Sequence, residues 1–155
     1  MSGQINADQS TRAQALQRVL QDGLTHHQAG RRQQAEAHYR ALLREDPDHA
    51  DALQLLGVLA LDDGDAQKAA ALIRRALVMM PNFADGYLNL GNALDKLDDT
   101  AGTRAAFERA VALNPDFLLA RLNLADLLNR LANRRAPKCT HAMPYTLRQE
   151  PSAHY

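Results

Sequence analysis

The histidines and the cysteine are the side chains of this chain best suited to catalysis or metal binding. None of the six histidines stands with Cys, Asp or Glu at a spacing typical of a metal site. Cys139 and His141 form a lone Cys-x-His pair, which we interpret as an incidental thiol beside a histidine. His26 and His27 fall at the predicted end of a helix, where a cation suits the helix dipole. We therefore expect no catalytic site, no metal site and no cofactor.

Five of the eight glycines and three of the six prolines follow one constant period, and no glycine-rich phosphate-binding loop occurs. The period recurs in Gly30 and Gly64, and in two further sets: Gly23, Gly57 and Gly91, and Pro47, Pro81 and Pro115. Its length is about 34 residues, and a fixed period of about 20–50 residues is typical of a solenoid. We expect this period to determine the fold.

Each repeating unit has the apolar spacing of two helices. In the second unit, Leu53, Leu56, Gly57 and Ala60 follow i, i+3, i+4 and i+7. A break at residues 63–65 (Asp-Gly-Asp) separates them from a second helical pattern, formed by Ala69, Ile73 and Ala76. Each unit is therefore predicted to be a helical hairpin.

Small residues at fixed places explain how the hairpins close. Gly57 and Gly91 remove a side chain where one helix approaches the other, and alanines face them: Ala69, Ala76 and Ala110. This allows helix axes about 8–10 Å apart. Large residues are expected to fill the remaining gaps: Tyr39, Tyr87 and Phe107. The residues after the prolines are predicted N-caps of the next helix: Asp48, Asn82 and Asp116.

In these positions the chain resembles the tetratricopeptide repeat family. The third unit matches at Tyr87, Leu90, Gly91, Leu94, Phe107, Ala110 and Pro115, and the second at Leu53, Leu56, Gly57, Ala60, Ala69, Ile73, Ala76 and Pro81. The first unit keeps Gly23, Ala35, Tyr39 and Pro47. It departs from the pattern at Asp22 and Leu42, and the third unit departs at Thr103.

The resemblance implies an all-α fold, a right-handed superhelical solenoid with three complete repeats and the first helix of a fourth. We assign repeats to residues 16–49, 50–83 and 84–117, and a partial repeat to residues 118–131. Residues 1–15 are expected to be a helical extension or a disordered segment, and residues 132–155 an irregular or disordered tail.

Composition indicates a soluble helical protein. Hydrophobic residues make up 46% of the chain, but no run reaches the length of a membrane helix, and the first twelve residues lack a signal-peptide core. The single cysteine cannot form an internal disulfide. Lys+Arg and Asp+Glu are both 18, so no basic field favours nucleic acid. We expect a cytoplasmic protein without membrane insertion or nucleic-acid binding.

The fourth unit begins like the others and then departs from the pattern. Its first helix is rich in leucine, but Pro137 and Pro144 fall in the second helix, where an interior proline costs about 3 kcal/mol. The apolar residues 118–131 then lack a cover, which leaves three hypotheses. These are a tail that folds back, self-association through residues 118–131, and a further domain in a longer protein of which this is a shortened or frame-altered form.

The resemblance also implies a groove lined by the first helix of each hairpin, which receives a protein or peptide partner. Carried over by phase, the groove residues are Asn89, Asn92, Lys96, Asn123, Asp126 and Arg130. Asparagine both donates and accepts hydrogen bonds, so such a row suits a peptide backbone. The corresponding places in the second unit are Leu55 and Val58, so the groove is more apolar toward the N-terminus.

Two kinds of groove known in the family can be compared with these residues. A carboxylate clamp of Lys, Asn and Arg is rejected, because only Asn89 sits at a matching place. The asparagine row, with the segment 90–94 (Leu-Gly-Asn-Ala-Leu), instead is similar to the repeat arm of O-linked N-acetylglucosamine transferases. Two functions follow: a noncatalytic adaptor, or the substrate-recruiting arm of a larger enzyme whose catalytic part is lost or encoded elsewhere.

Overall fold

The structure is a stack of α-helices. The computed structural model describes the backbone of residues 2–135 and the side chains of residues 9–134. Seven helices and no strand occur in this part of the chain: α1 (Ser2–Gln28), α2 (Arg32–Glu45), α3 (Ala50–Asp62), α4 (Ala66–Met79), α5 (Ala84–Lys96), α6 (Thr100–Leu113) and α7 (Leu118–Arg135). The predicted all-α fold is confirmed. None of these helices is long and apolar enough to cross a membrane.

The helix boundaries repeat the period of the sequence. Helices α3, α5 and α7 begin one period apart, at Ala50, Ala84 and Leu118. Residues 2–15 belong to helix α1, and α7 continues to Arg135, past the expected end at Leu131. The rest of the predicted tail, including Cys139 and the prolines beyond it, lies outside the described residues.

Each helix packs on its neighbours in sequence. The pairs α1 with α2, α3 with α4, and α5 with α6 form hairpins, and α2 with α3, α4 with α5, and α6 with α7 join one hairpin to the next. Three clusters of buried apolar side chains fill the spaces between successive helices. The core therefore runs along the stack, as expected when each repeat contacts only the adjacent ones.

Glycines mark the closest approach within each hairpin. A Cβ atom built on Gly57 would lie 2.5 Å from Ile73 Cγ1, and one on Gly23 would lie 2.6 Å from Tyr39 Cε1. A Cβ on Gly91 would collide with the ring of Phe107. The alanines of the second helices are fully buried around these contacts: Ala35, Ala69, Ala76 and Ala110. The two helices of a hairpin can therefore approach only because the first helix lacks a side chain there.

The loops after the prolines differ from the predicted caps. Asp48, Asn82 and Asp116 were expected to be N-caps, which is wrong for the first two because α3 and α5 have His49 and Phe83 as their N-caps. The His49 ring accepts a hydrogen bond from the Ala52 backbone N–H at 3.4 Å, and Phe83 provides no side-chain cap. Asp116 likewise lies two residues before Leu118, where α7 begins.

The physical reason for this difference at Pro47 and Pro115 is a turn that begins at the residue before the proline. The Asp46 carboxylate accepts from the Asp48 backbone N–H at 3.4 Å, and the Asn114 amide oxygen accepts from the Asp116 N–H at 3.2 Å. Such Asx turns engage the residue after the proline within the turn itself. The residue after each of these prolines is thereby placed one position too early to cap the next helix.

Aspartate side chains cap the second helices of two hairpins. Asp65 accepts from the Lys68 N–H at 3.0 Å at the start of α4, and Asp99 accepts from the Gly102 N–H at 2.9 Å at the start of α6. The buried Thr103, which replaces a small residue of the repeat pattern, donates its hydroxyl to the Asp99 carbonyl at 2.7 Å. Thr103 therefore fits the hairpin without an unsatisfied hydroxyl.

The turn inside each hairpin needs a left-handed residue. Gly30 and Gly64 have φ values of +72° and +83°, and the residue at the same phase in the third hairpin is Asp98, with φ +58°. A Cβ on either glycine would meet no atom within 4 Å, so these glycines serve the backbone angle rather than close packing. Asp98 is the only non-glycine residue with positive φ in the described part of the chain.

Helix α7 leaves part of its apolar surface uncovered. Leu118, Leu119 and Leu122 are 65%, 51% and 56% exposed, whereas Leu127 is buried against α5 and α6. The helix thus packs on one side only within the described residues. Self-association through residues 118–131 stays a prediction.

Replacing Asp98 with glycine should stabilise the protein. The Asp98→Gly variant removes the cost of a left-handed L-residue, so we expect its free energy of unfolding to rise by up to about 1 kcal/mol. Urea denaturation followed by circular dichroism measures this change. Asp116→Gly is the matched control, since Asp116 lacks positive φ and glycine there only adds unfolded-state entropy. Equal effects of both substitutions would contradict the explanation.

Filling the space at Gly91 should destabilise the third hairpin. Alanine favours helices over glycine by about 1 kcal/mol, but the collision with Phe107 overpacks the contact, so we expect Gly91→Ala to lower the unfolding free energy by about 1–3 kcal/mol. Phe107→Leu removes the colliding ring atoms and should recover part of the loss in the Gly91→Ala background. Denaturant unfolding of both single variants and the double variant tests this coupling, and additive effects would disprove it.

Candidate functional site

Helices α3, α5 and α7, which are the first helices of successive repeats, present one comparable stripe each. Positions i, i+4, i+7 and i+11 of a helix lie on one face. In α5 this stripe contains the three predicted groove residues of the third repeat, and in α7 those of the fourth. The stripes are Asp51, Leu55, Val58 and Asp62 in α3; Asp85, Asn89, Asn92 and Lys96 in α5; and Leu119, Asn123, Asp126 and Arg130 in α7. We call the surface formed by these three stripes the first-helix groove.

A cavity lies in this groove between α3 and α5. It has a volume of about 550 Å³ and is open to solvent. Its lining combines apolar, amide and charged side chains: Val58, Leu61, Asp62, Asn89, Asn92, Asp95 and Lys96. The three predicted groove residues of α5 therefore line one cavity.

A second cavity continues the groove between α5 and α7. It has a volume of about 270 Å³ and shares Asn92 and Asp95 with the first. The predicted groove residues of α7 line it, together with one aromatic side chain from α6: Asn123, Asp126, Arg130 and Phe107. The structure thus places all six predicted residues along two adjoining cavities.

The asparagines of neighbouring repeats contact each other. The Asn123 side-chain nitrogen donates to the Asn92 side-chain oxygen at 2.9 Å, and both residues are half-buried. This bond leaves the Asn92 nitrogen and the Asn123 oxygen for other partners. Within the described part of the chain, the Asn89 amide makes no hydrogen bond to protein. The row therefore keeps both donors and acceptors available.

Arg130 is held between two carboxylates. Its Nη2 atom donates to both Asp95 oxygens, at 2.9 and 3.0 Å, and its Nε atom lies 2.9 Å from the Asp126 carboxylate. The hydrogen bonds from Arg130 to Asp95 raise the pKa of the guanidinium above its ordinary value. Because these side chains remain partly exposed, their contribution to stability is small. Their main effect is to fix the orientation of Arg130 and to occupy its donors.

Asp95 and Leu61 are groove residues that the sequence analysis missed. Each follows a stripe residue, Asn92 or Val58, by three positions and therefore projects from the same side of its helix. The signal was present, since Leu61 and Asp95 occupy the same phase in successive repeats. A stripe that includes only positions i, i+4, i+7 and i+11 does not contain these two residues.

The grouping of acidic side chains does not form a metal site. In residues 2–135, no three His, Cys, Asp or Glu side chains come together in a way that would hold a metal ion. The Asp95 and Asp126 carboxylates bind Arg130 instead. The arrangement suits hydrogen bonding and charge recognition.

The repeat units match a known family. The profile of the tetratricopeptide repeat matches residues 20–86 and again residues 84–117. Together these matches cover more than half of the chain. The chain therefore belongs to the tetratricopeptide repeat family, as its resemblance at the repeated glycine, alanine and proline positions predicted. No curated protein sequence matches the chain.

Three solved structures illustrate what the fold is similar to. An O-GlcNAc transferase mutant from Thermobaculum terrenum is 29% identical, with a TM-score of 0.72 over 75% of this chain. The match spans only 22% of that transferase. The first tetratricopeptide domain of Spaghetti (RPAP3), bound to the HSP90 peptide SRMEEVD, is 18% identical, with a TM-score of 0.73. It covers 77% of this chain and 94% of that one.

The third structure covers more of this chain. The tetratricopeptide domain of Sgt2 from Aspergillus fumigatus is 18% identical, with a TM-score of 0.71 over 91% of this chain and 88% of that one. At this identity, the likeness to Sgt2 and Spaghetti shows a shared fold. The fold and the family together define a protein-interaction module of the tetratricopeptide class.

Proposed function

We propose that this chain is a noncatalytic module that binds a peptide segment or a partner helix in the first-helix groove. The observation that carries the proposal is the row of amide side chains, Asn89, Asn92 and Asn123, along two adjoining open cavities. The proposed site residues are these three with Lys96, Asp126 and Arg130. The groove has room for a segment, and its lining contains the groups that a peptide backbone requires.

The chemistry of the amides supports binding of a backbone. A peptide in an extended conformation presents N–H and C=O groups along its length, and asparagine can pair with either. Asn89 has both groups available, and the Asn92–Asn123 bond holds the other two amides in fixed orientations. Preorganised side chains lose less conformational entropy when a ligand binds.

Related structures support the same class of function. The Spaghetti domain is bound to a peptide, SRMEEVD. Its fold matches 77% of this chain over 94% of its own length. We propose by analogy that this chain also takes a segment of another protein. The acidic peptide itself is not carried over, because the carboxylate clamp is absent from the matching places.

Removing the amides should weaken binding. A peptide is first selected from a random displayed library against the whole protein, and its affinity is then measured by fluorescence anisotropy. We expect Asn89→Ala and Asn123→Ala to lower the affinity about fivefold each, which corresponds to about 1 kcal/mol per lost hydrogen bond.

Asn82→Ala is the matched control, because Asn82 is an exposed asparagine in the turn before α5 and outside the groove. It should leave the affinity unchanged. Thermal melts of all three variants separate lost binding from lost stability. An affinity that neither groove substitution alters would remove the groove from the proposal.

A second candidate function is the substrate-recruiting arm of a larger enzyme. The O-GlcNAc transferase structure favours it, because the match covers only 22% of that chain and yet most of this one. In this case the groove would have the same chemistry, but it would deliver its ligand to a glycosyltransferase domain in the same protein or in a separate chain.

The mass of the native product distinguishes an adaptor from a recruiting arm that is part of the same protein as its enzyme. An antibody against the repeats, used on extracts of the source cells, should detect a species near 17.1 kDa if the chain acts as an adaptor. A much larger species would favour the recruiting arm, and titration of that species with a sugar nucleotide would then test for the transferase.

A further inference from the structure

We propose that the first-helix groove selects a segment that carries lysine or arginine next to an apolar residue, and that it disfavours acidic segments. This inference rests on the proposed function, since it names the chemistry of the ligand for the same groove.

The arginines at the groove are already occupied. Arg130 is bound by Asp95 and Asp126. At the other side, Arg32 lies 3.4 Å from the Asp62 carboxylate and 2.6 Å from that of Asp63. In each group two carboxylates share one guanidinium, so the group keeps a net negative charge. An incoming carboxylate would meet no unpaired guanidinium at these places.

The charged side chains of the groove, paired and unpaired together, are mostly acidic. The three stripes together with Asp95 contain five carboxylates, from Asp51, Asp62, Asp85, Asp95 and Asp126, and two cations, from Lys96 and Arg130. The net charge of the groove is therefore −3, although the whole chain is neutral. Concentration of one sign of charge in a cleft attracts ligands of the opposite sign. Lys96 is the one cation of the stripes without an acidic partner among the described residues.

The α3 side of the groove supplies an apolar wall. Leu55 and Val58 are half-buried on the α3 stripe, and Leu61 beside them lines the cavity next to Asp62. Lysine and arginine place their aliphatic stems on such surfaces while the charged group reaches carboxylates and amides. In the larger cavity the stem would contact Val58 and Leu61, and the cationic group would lie near Asp62 and Asp95, each of which shares one guanidinium with a second carboxylate. Lys96 lines the same cavity and would oppose this cation. An adjacent apolar residue of the ligand would pack on Leu55.

The contrast with the Spaghetti structure is one of charge. The peptide bound there, SRMEEVD, contains three acidic residues near one end. In the present groove, the carboxylates outnumber the cations, and Arg130 of the α7 stripe is already paired with Asp95 and Asp126. The same fold thus offers a surface of the opposite preference.

Selection from an unbiased random library measures this preference directly. The purified whole protein is the target, and the sequences of the enriched peptides are compared with the starting library. We expect enrichment of Lys and Arg, depletion of Asp and Glu, and an affinity that falls as NaCl is raised. Enrichment without a charge bias, or enrichment of Asp and Glu, would overturn the inference and leave the proposed function standing. If no peptide is enriched, both the proposed function and this inference fail.

Two variants with opposite expected effects then locate the preference. Lys96→Gln removes the unpaired cation and should tighten binding of a selected basic peptide by roughly threefold, the effect of one unit charge at about 7 Å in water. The double variant Asp95→Asn and Asp126→Asn releases Arg130 and should weaken the same binding by at least that factor. General loss of structure lowers affinity and so cannot produce the increase expected for Lys96→Gln.

Arg74→Gln is the matched control for net charge. Arg74 is exposed on α4, a second helix outside the groove, and its substitution removes the same charge as Lys96→Gln. It should change the affinity much less. Equal effects of Arg74→Gln and Lys96→Gln would show that only the overall charge of the protein matters, which would overturn the assignment to the groove.

Discussion

The close contact between a glycine on the first helix and a large side chain on the second is the constraint on which this structure depends. At Gly57 and Gly91 the space that a methyl group would need is filled by Ile73 and Phe107. The contact fixes the distance and the rotation of the two helices in each hairpin. Because it recurs at the same phase of every repeat, successive hairpins have nearly the same shape and stack in the same way.

Stacking of equal hairpins also creates the groove. When every first helix has the same rotation, equivalent stripes come side by side on neighbouring helices, and residues at nearby phases of the repeat can meet. Asn123 of α7 meets Asn92 of α5, three residues after its equivalent Asn89, and Arg130 meets Asp95, one residue before its equivalent Lys96. The groove is therefore a consequence of the core packing, and its chemistry is set by residues that the core does not need.

The loops show where local signals compete. Asp48 and Asp116 are good capping residues by type, but the Asx residue before each proline captures the backbone N–H that follows it. The residue after the proline thus belongs to the turn, and α3 has the following residue, His49, as its N-cap. The third hairpin has Asp98 at the left-handed position that Gly30 and Gly64 occupy in the other two, and the residue after each donates its backbone N–H to the carbonyl five positions earlier.

The sequence by itself determined the class of fold, the number of helices in each repeat and the stripe that faces the groove. These follow from periodicity and from small residues at contacts, which are local or repeated signals. Only the tertiary structure decided which groove side chains pair with one another. The Arg130 contact with Asp95, and hence the charge that this surface presents, depends on the distance and stagger between two helices. That geometry comes from packing across repeats, which a pattern read along one chain does not contain.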